Sequence, residues 1–340
     1  MKIKLGQAIK YEQPTKYIVE SDKYKDEYKT PVLTAGKSFI LGYTNETTNI
    51  YENLPVIIFD DFTTDVKFVD FSFKVKSSAM KMLQVTSEDY NLKFFYYLIK
   101  FIDFKPSSHQ RHWISKFAEF EFDIPERKKQ DKIVAKLDKL CDILALKEKK
   151  LEKLDLLVKS QFIEMFGDVE TPKYSVTTFG NICSVRQGLQ IAISNRKKEP
   201  ADNRLKYITI QYLHGGKSPE YIENPRESVI CNENDILMTR TGNTGMVVTN
   251  VKGVFHNNFF LIDFNRDKFT KDYLVNYLNL PTIQAEILKR AGTSTIPDLN
   301  HGQFYQIRLI VPPIELQNQF ADFVKHIDKL KYDDVLMEVA

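Results

Sequence analysis

Three short clusters carry residue types that could bind a metal or a nucleotide. Asp60 and Asp61 are adjacent carboxylates, but no third carboxylate or lysine stands at a spacing typical of a nuclease, which favours a turn at a strand end. His109 and His112 lie three residues apart without further metal ligands nearby. The glycine-rich TGNTG at 241–245 lacks the strand–GxGxxG–helix setting of a dinucleotide site. We therefore expect no metal site and no cofactor.

Sequence motifs of the common catalytic classes are missing from the chain. It has no GxxxxGK[ST] phosphate loop, no HExxH and no GxSxG. An adenine methyltransferase would carry an Asn/Asp-Pro-Pro-aromatic motif, whereas VPPI at 311–314 has neither the amide before the prolines nor the aromatic residue after them. We expect a protein without its own catalytic activity, although an enzyme with an unrecognised motif remains an alternative.

Length and composition set broad limits on organisation and location. The 340 residues are enough for two domains and a connector. Lys and Arg total 48 against 45 Asp and Glu, so any nucleic-acid surface must be built from local clusters. Cys141, Cys183 and Cys231 form no CxxC pair, and the first residues lack the apolar stretch of a signal peptide. The expected location is the cytoplasm.

An internal repeat of long period is the most informative feature of the sequence. Residues 112–140 match residues 299–327, within the segment 299–330, at a single offset of 187 without a gap. The aligned pairs include Phe117 with Phe304, Phe122 with Leu309, Pro125 with Pro312 and Gln130 with Gln317. The beginnings of the two copies match more weakly at an offset of 174, which places Gly6 on Gly180. The repeat predicts two similar units in tandem.

Each copy contains runs of β-branched and aromatic residues that are typical of strands. These runs are NLPVIIFDDF, VKFVDFSFKV, FAEFEFDI, LKYITIQYL, MVVTNV and FFLIDF. Short helices are expected near residues 88–102 and 270–290, the second broken near Pro281. Each copy is thus predicted to be a mostly β unit of about 120–140 residues followed by a helix.

Residues 126–166 predict one long helix. Pro125 stands where proline favours a helix start, Gly167 stands where glycine favours an end, and neither residue type lies between them. About 40 residues at about 1.5 Å each make a rod of about 60 Å. Apolar residues at alternating spacings of three and four predict a coiled-coil seam: Leu137, Leu140, Leu144, Leu151, Leu154 and Val158.

An apolar stripe of this length needs a partner helix in water. The second copy supplies one after Pro312 and Pro313, where Phe320, Val324 and Ile327 continue the pattern. An antiparallel pair within the chain is the preferred interpretation. An ordinary helical hairpin core and a coiled coil between two chains remain open.

Two β-rich units, each closed by a proline turn, a glutamine and an apolar-striped helix, resemble the specificity subunit of type I restriction–modification systems. The resemblance is carried by DIPERKKQDKIVAKLDKLCDIL, SQFIEMFGD and IVPPIELQNQFADFVKHID. It implies an α+β fold in which two mostly β target-recognition domains are joined by long helices that form an antiparallel coiled coil. The implied domains are 1–124 and 168–311, with a central helix at 125–167 and a short C-terminal helix at 312–340.

In that family each target-recognition domain reads one half of a split DNA site, and the helices set the spacing between the halves. The resemblance implies double-stranded DNA as ligand, and as partners two modification (methyltransferase) subunits and the restriction subunits. It implies no membrane association and no catalysis by this chain. A helical adaptor whose β units bind protein is the remaining alternative.

The resemblance also suggests which side chains hold phosphates or read base edges. In the second unit these are Arg240, Thr241, Asn243 and Thr244, and also Arg186, Gln187, Gln190, Asn195, Arg196, Lys197 and Lys198. In the first unit they are Thr34, Lys37, Tyr43, Thr63, Thr64, His109, Gln110 and Arg111. Arg240 would pair bidentately with guanine or hold a phosphate, and for many of the others a solvated turn is the alternative.

Overall fold

The structure is a computed structural model that describes residues 2–35, 38–104, 111–292 and 297–336. The chain divides into two units, residues 1–146 and 147–340, and the boundary falls within one long helix. Both units combine mixed sheets with helices, which agrees with the α+β prediction. Among the described residues, no helix combines the length and the apolar character that crossing a membrane requires.

In its described residues, the first unit has short strands and two helices before the long one. Its elements are β1 (Lys2–Lys4), α1 (Leu5–Ala8), β2 (Ile9–Glu12), β3 (Thr30–Leu33), β4 (Ile40–Thr44), β5 (Val56–Asp60), β6 (Val66–Val69), β7 (Lys74–Val75), β8 (Met80–Val85), α2 (Leu92–Lys100) and β9 (Glu121–Asp123). One sheet has the order β2-β8-β5-β6 and another β4-β3-β7, while β1 pairs with β9. The long helix α3 (Arg127–Phe166) follows.

One core of the first unit lies between the strand β5 with its neighbours and the helix α2. Every residue of β5 is buried, as expected for a central strand rich in β-branched side chains. Asn91 caps α2 by accepting hydrogen bonds from the amides of Lys93 and Phe94. The apolar face of α2 then covers the sheet, where Phe95 is completely buried.

The second unit repeats this plan. Its elements are β10 (Val176–Thr178), β11 (Cys183–Gln187), β12 (Arg204–Ile208), α4 (Ile210–Leu213), β13 (Tyr221–Glu223), β14 (Ile230–Cys231), β15 (Ile236–Thr239), β16 (Val247–Val248), β17 (Gly253–Phe255), β18 (Phe259–Phe264), α5 (Lys271–Leu278), α6 (Pro281–Ala291), α7 (His301–Tyr305), β19 (Arg308–Ile310) and α8 (Ile314–Leu336). The sheets have the orders β11-β18-β15-β16 and β13-β12-β17-β14, and β10 pairs with β19. In both units a parallel pair, β3 with β7 or β12 with β17, lies in the second sheet.

The strand register reproduces the two sequence offsets. Ile3 lies opposite Phe122 in the first unit, and Thr177 lies opposite Leu309 in the second. The differences are 177 − 3 = 174 and 309 − 122 = 187, the offsets at which the starts and the ends of the two copies align. The predicted internal repeat is therefore confirmed as a repeat of structure.

The second half of α3 pairs with α8, and the two helices run antiparallel. The ring centroid of Phe162 lies 5.2 Å from that of Phe320, and Asp155 Oδ1 lies 2.7 Å from Lys331 Nζ. Phe162 follows Asp155 in α3, whereas its partner Phe320 precedes Lys331 in α8, as expected for antiparallel helices. This confirms the predicted intramolecular antiparallel pair over this stretch.

The predicted seam of α3 is covered unevenly. Three of its residues pack against apolar cores of their own unit: Leu137, Leu154 and Val158. Leu151 is partly buried, whereas Leu140 and Leu144 are 52% and 43% exposed. The seam is therefore continuous in sequence but not in burial.

A buried glutamine joins the start of α3 to the start of α2. Gln130 is 1% exposed, and its side-chain oxygen accepts a hydrogen bond from the amide of Asn91 at 2.8 Å. Its side-chain nitrogen donates to the carbonyls of Pro125 at 2.8 Å and Asp89 at 3.2 Å. All three bonds satisfy polar groups that the fold removes from water.

Two segments form helical turns within stretches that were predicted to be strands. LKYITIQYL is a strand only as far as Ile208; Thr209 then caps α4 by accepting a hydrogen bond from the amide of Tyr212 at 3.1 Å. FAEFEFDI begins with a 3₁₀ turn at Phe117–Glu119, and the strand occupies only 121–123. In both segments, a helical turn forms where the residue types are also compatible with a strand.

Candidate nucleic-acid interface

Glycines shape the loop at 240–245 between β15 and β16. Gly242 and Gly245 have φ of +85° and +91°, a region that residues with a Cβ rarely adopt. The hydroxyl of Thr239 donates to the carbonyl of Asn243 across the turn. The loop therefore has a defined shape that leaves Asn243 exposed.

Thr244 holds this loop against the chain behind it. It is 8% exposed, and its hydroxyl contacts the carbonyls of Arg240 at 3.1 Å and Pro297 at 2.8 Å. The hydroxyl is thus engaged within the protein, in contrast to the predicted contact with a base. Thr241 in the same loop is partly exposed.

Arg240 and Asp298 form a two-bond ion pair beside the loop. Arg240 Nε lies 3.0 Å from Asp298 Oδ1, and Arg240 Nη2 lies 2.8 Å from Oδ2. The backbone of Arg240 is also fixed, since its amide donates to Asn258 and its carbonyl accepts from Leu299. The guanidinium is therefore held in one orientation by a planar, charge-assisted contact.

Three more of the predicted residues lie at the end of β11 or just after it. Arg186 Nη1 donates to the carbonyl of Ser228 at 2.9 Å. Gln187 Nε2 lies 3.5 Å from the carbonyl of Asn257, at the limit of a hydrogen bond. Gln187 and Gln190 are exposed. These two amides are available to a ligand without breaking a strong internal contact.

Arg196 has an internal role. Its Nε and Nη2 donate to the carbonyl of Ile191, its Nη1 lies 3.0 Å from Glu220 Oε2, and its guanidinium lies 5.0 Å from the ring centre of Tyr207. Burial opposes ionisation of Glu220, but hydrogen bonds from Lys217 and Arg196 outweigh it and lower the pKa of that carboxyl. The predicted phosphate contact by Arg196 would require breaking these bonds.

The neighbours of Arg196 are placed differently. Asn195 and Lys198 are exposed, and the side chain of Lys197 is partly exposed. The backbone of Lys197 exchanges two hydrogen bonds of 2.8 Å with Tyr221. Of the basic run, Lys198 is therefore the cation most accessible to a phosphate.

His256 makes the second unit sensitive to pH. Burial, with a smaller effect from the charge of Arg196, lowers the pKa of His256, and its Nδ1 accepts the amide of Asn258 at 3.1 Å. The unfolded chain binds this proton near its ordinary pKa of about 6.5 and the folded chain only at lower pH, so stability should fall as the pH drops below about 6.5. Urea unfolding at several pH values should show a weaker dependence for His256→Gln. An unchanged dependence in this variant would contradict the assignment.

In the first unit the turn after β5 occupies the position of the loop at 240–245. Asp60 Oδ1 accepts the amide of Phe62 at 2.9 Å, and Oδ2 accepts the hydroxyl of Thr63 at 2.5 Å. Thr64 has a φ of +64°. Asp60 is thus a turn-stabilising residue, and Thr63 is exposed beside it.

Asp61 links this turn to the segment that begins at Arg111. Its Oδ1 accepts the amide of Trp113 and its carbonyl accepts the amide of His112, each at 2.9 Å. Lys81 Nζ lies 3.3 Å from Asp61 Oδ2, without hydrogen-bond geometry, and both side chains are 1% exposed. These contacts bring the turn at 60–65 close to the exposed Arg111.

The other predicted residues of the first unit lie elsewhere. Thr34 follows β3, where its amide donates to the carbonyl of Phe39 at 3.0 Å, and the partly buried Tyr43 lies on β4. Three predicted residues lie outside the described residues: Lys37, His109 and Gln110. In the part of the chain that the structure describes, no three His, Cys, Asp or Glu residues are grouped as for a metal ion.

Two charged residues of these sites were not predicted. Asp298 follows Arg111 by 298 − 111 = 187 residues, so the repeat offset could have identified it as the counterpart of a candidate residue. Lys81 gives no such signal, because a lysine within an alternating strand normally indicates a solvent-facing position.

A family model described as the type I restriction modification DNA specificity domain matches residues 1–156 and 173–333. A type I restriction enzyme specificity subunit of Escherichia coli is 52% identical over 147 residues, 41% of this chain and 36% of that protein. A type I specificity subunit of Methanocaldococcus jannaschii is 24% identical over 173 residues, 51% of this chain and 40% of that protein. The matches thus cover less than half of these curated relatives.

Two solved structures share the fold over nearly the full chain. The S subunit of a type I system from M. genitalium has a TM-score of 0.60 at 15% identity, covering 99% of this chain and 91% of that one. A structure concerned with complex assembly and conformational transition of the type I R-M system has a TM-score of 0.55 at 14% identity, covering 100% and 93%. Together with the family match over most of the sequence, the repeated fold identifies the chain as a member of the type I restriction–modification DNA specificity family.

Proposed function

We propose that the chain is the specificity subunit of a type I restriction–modification complex and recognises a DNA site in two parts. Residues 1–124 and 168–311 are the two target-recognition domains, and each reads one half of the site. Residues 125–167 and 312–340 are the helical segments that set the spacing of the halves. The chain supplies recognition, and other subunits supply catalysis.

One backbone hydrogen bond closes the corresponding loop in each unit, and this repeated hydrogen bond is the observation that carries the proposal. The amide of His112 donates to Asp61 in the first unit, and the amide of Leu299 donates to Arg240 in the second, each at 2.9 Å. The residue numbers differ by 240 − 61 = 179 and 299 − 112 = 187. Two reading loops built on the same plan suit a ligand with two similar halves, and duplex DNA is such a ligand.

The partners follow from the same proposal. Two modification subunits dock on the helical segments, and restriction subunits complete the cleaving complex. The exposed Leu140 and Leu144 on α3 suit contact with another protein. Because the ligand is cellular DNA and the described cysteines are unpaired, we assign the complex to the cytoplasm.

The proposed DNA-contacting residues are predicted residues that are at least partly exposed, and they lie in the loops and on the strands beside them. In the second unit they are Arg240, Thr241, Asn243, Arg186, Gln187, Gln190, Asn195, Lys197 and Lys198. In the first unit they are Thr34, Tyr43, Thr63, Thr64 and Arg111. Thr244 and Arg196 are proposed to support these loops from within.

Selection from a random duplex library tests the proposal. The chain, co-expressed and purified with the modification subunits of its host, should enrich two short blocks of defined sequence separated by a fixed unspecified spacer. Binding should weaken steeply as salt rises, because phosphate contacts release counterions. Enrichment of one uninterrupted block, or of no sequence, would contradict the proposal.

Lys198 and Arg196 provide a matched pair of variants. Lys198→Ala should lower the salt slope of DNA binding by about one, because one phosphate contact is lost. Arg196→Ala should leave that slope unchanged and lower the thermal stability of the second unit, since its guanidinium is bonded internally. Titration of DNA binding against salt, with a melting curve for each variant, separates the two roles. A reduced slope for Arg196→Ala alone would reverse the assignment.

A further inference from the structure

The contact between Arg240 and Asp298 leaves one edge of the guanidinium uncommitted. Arginine carries five N–H donors, one on Nε and two on each terminal nitrogen. Asp298 accepts from Nε and from one hydrogen of Nη2. Among the residues that the structure describes, no acceptor bonds to Nη1. Both hydrogens of Nη1 and one of Nη2 therefore remain for a ligand.

Two of these remaining donors, one on Nη1 and one on Nη2, form the end-on edge of the guanidinium. Two parallel N–H groups at this edge match the O6 and N7 acceptors of guanine in the major groove. The Asp298 carboxylate occupies the other edge and fixes the plane of the guanidinium, which stays positively charged. A pre-oriented group loses less side-chain entropy on binding than a free arginine does.

The surroundings of the pair fix its position as well. Leu299, next to Asp298, donates its amide to the carbonyl of Arg240 at 2.9 Å, and Arg240 donates its own amide to Asn258 at 2.7 Å. Thr244 connects Arg240 to Pro297 through its hydroxyl. The side chain of Arg240 is 20% exposed and that of Asp298 48%, so the pair lies at the surface on an ordered base.

The first unit has the opposite charges at the equivalent positions. The backbone hydrogen bond from His112 to Asp61 in the first unit matches the bond from Leu299 to Arg240 in the second. Asp61 therefore corresponds to Arg240 at an offset of 179, and Arg111 corresponds to Asp298 at an offset of 187. Asp61 is buried and its carboxylate contacts Trp113 and Lys81, so it presents no arginine edge to solvent. The two units therefore share this backbone hydrogen bond but differ in the charge of the residue that accepts it, Asp61 in the first and Arg240 in the second.

We infer that Asp298 is a positioning residue that orients Arg240 to read one guanine, and that only the second unit reads a guanine in this way. The inference rests on the proposed function. Asp298 acts through Arg240 and does not itself contact the base. Removing the carboxylate frees the arginine to move between base and phosphate, so the preference for guanine falls while affinity for unspecific DNA is kept.

Base analogues on the selected site test this without altering the protein. Each guanine in either half of the site is replaced in turn by 7-deazaguanine, which pairs normally but lacks the N7 acceptor. Binding by the complex of wild-type chain and modification subunits should fall about 3- to 10-fold at one guanine, because one of the two hydrogen bonds of a bidentate contact is lost while O6 is kept. If no guanine in either half is sensitive, the inference is overturned.

Variants assign the sensitive guanine to this pair. Arg240→Ala should abolish the sensitivity, because no donor remains, and Arg240→Lys should reduce it, because an ammonium group lacks the planar two-donor edge that Asp298 orients. Asp298→Asn should reduce the discrimination between guanine and 7-deazaguanine several-fold without weakening unspecific binding, whereas Asp298→Glu should restore part of it. Full discrimination in Asp298→Asn, with a melting temperature equal to that of wild type, would contradict the positioning role.

The outcomes separate this inference from the proposed function. If selection yields no sequence preference, the proposed function itself fails. If a two-part site is recovered but every variant at Arg240 and Asp298 binds it as wild type does, the proposed function stands and only the guanine assignment is wrong.

Discussion

Replacing Gln317 with leucine is expected to lower the free energy of unfolding of the second unit by about 3–5 kcal/mol, because three buried or partly buried polar groups lose their partners. Gln317 is completely buried at the start of α8. Its oxygen accepts the amide of Thr270 at 2.9 Å, and its nitrogen donates to the carbonyls of Lys268 at 2.9 Å and Pro312 at 3.0 Å. Leucine has similar volume and satisfies none of them.

The nearby Gln319 provides the matched control. It is exposed on the same helix, so Gln319→Leu should change the stability by less than about 0.5 kcal/mol. Gln130→Leu should destabilise the first unit in the same way as Gln317→Leu destabilises the second, since Gln130 makes the equivalent three bonds. Urea unfolding measures all three variants. Equal stability of Gln317→Leu and Gln319→Leu would show that the buried contacts do not hold the helix.

Phe162→Ala is expected to cost about 3–5 kcal/mol by leaving a cavity between α3 and the core of the second unit. The Phe162 side chain is completely buried. Its ring centroid lies 4.8 Å from that of Phe166, 5.3 Å from that of Tyr273 and 5.2 Å from that of Phe320. Loss of this ring removes contacts to both α5 and α8.

Leu156 offers the contrast on the same helix, since it is 62% exposed. Leu156→Ala should leave stability within about 0.5 kcal/mol of wild type. Urea unfolding gives the free energies, and near-ultraviolet circular dichroism reports the packing of the aromatic cluster. A loss below about 1 kcal/mol for Phe162→Ala would contradict tight packing of α3 against α8.

The repeated architecture was predictable because it depends on local patterns that occur twice. Pro125 and Pro312 mark the helix starts, and Gln130 and Gln317 follow each proline by five residues. The offsets of 174 and 187 then reappear in the strand register. α4 was not predicted, because the strand-like pattern of LKYITIQYL continues to its end. In the structure, Thr209 caps a helical turn that begins at the next residue.

The candidate sites were less predictable, because side-chain roles depend on distant partners. Arg196 lies in a basic run typical of a phosphate site, yet Glu220 and the carbonyl of Ile191 engage its guanidinium. Arg240 and Asp298 are 58 residues apart in sequence and meet only in the folded chain. Sequence pattern identifies the loops, whereas the fold decides which of their polar groups face solvent.

We propose that this chain determines which two-part DNA site its complex recognises. The most direct measurement is a map of methylated adenines in the DNA of cells that contain the modification subunits, with and without this chain. We predict methylation at a motif of two short blocks with a fixed gap, and its loss when the chain is absent. Methylation of the same sites without the chain, or of an uninterrupted motif with it, would contradict the claim.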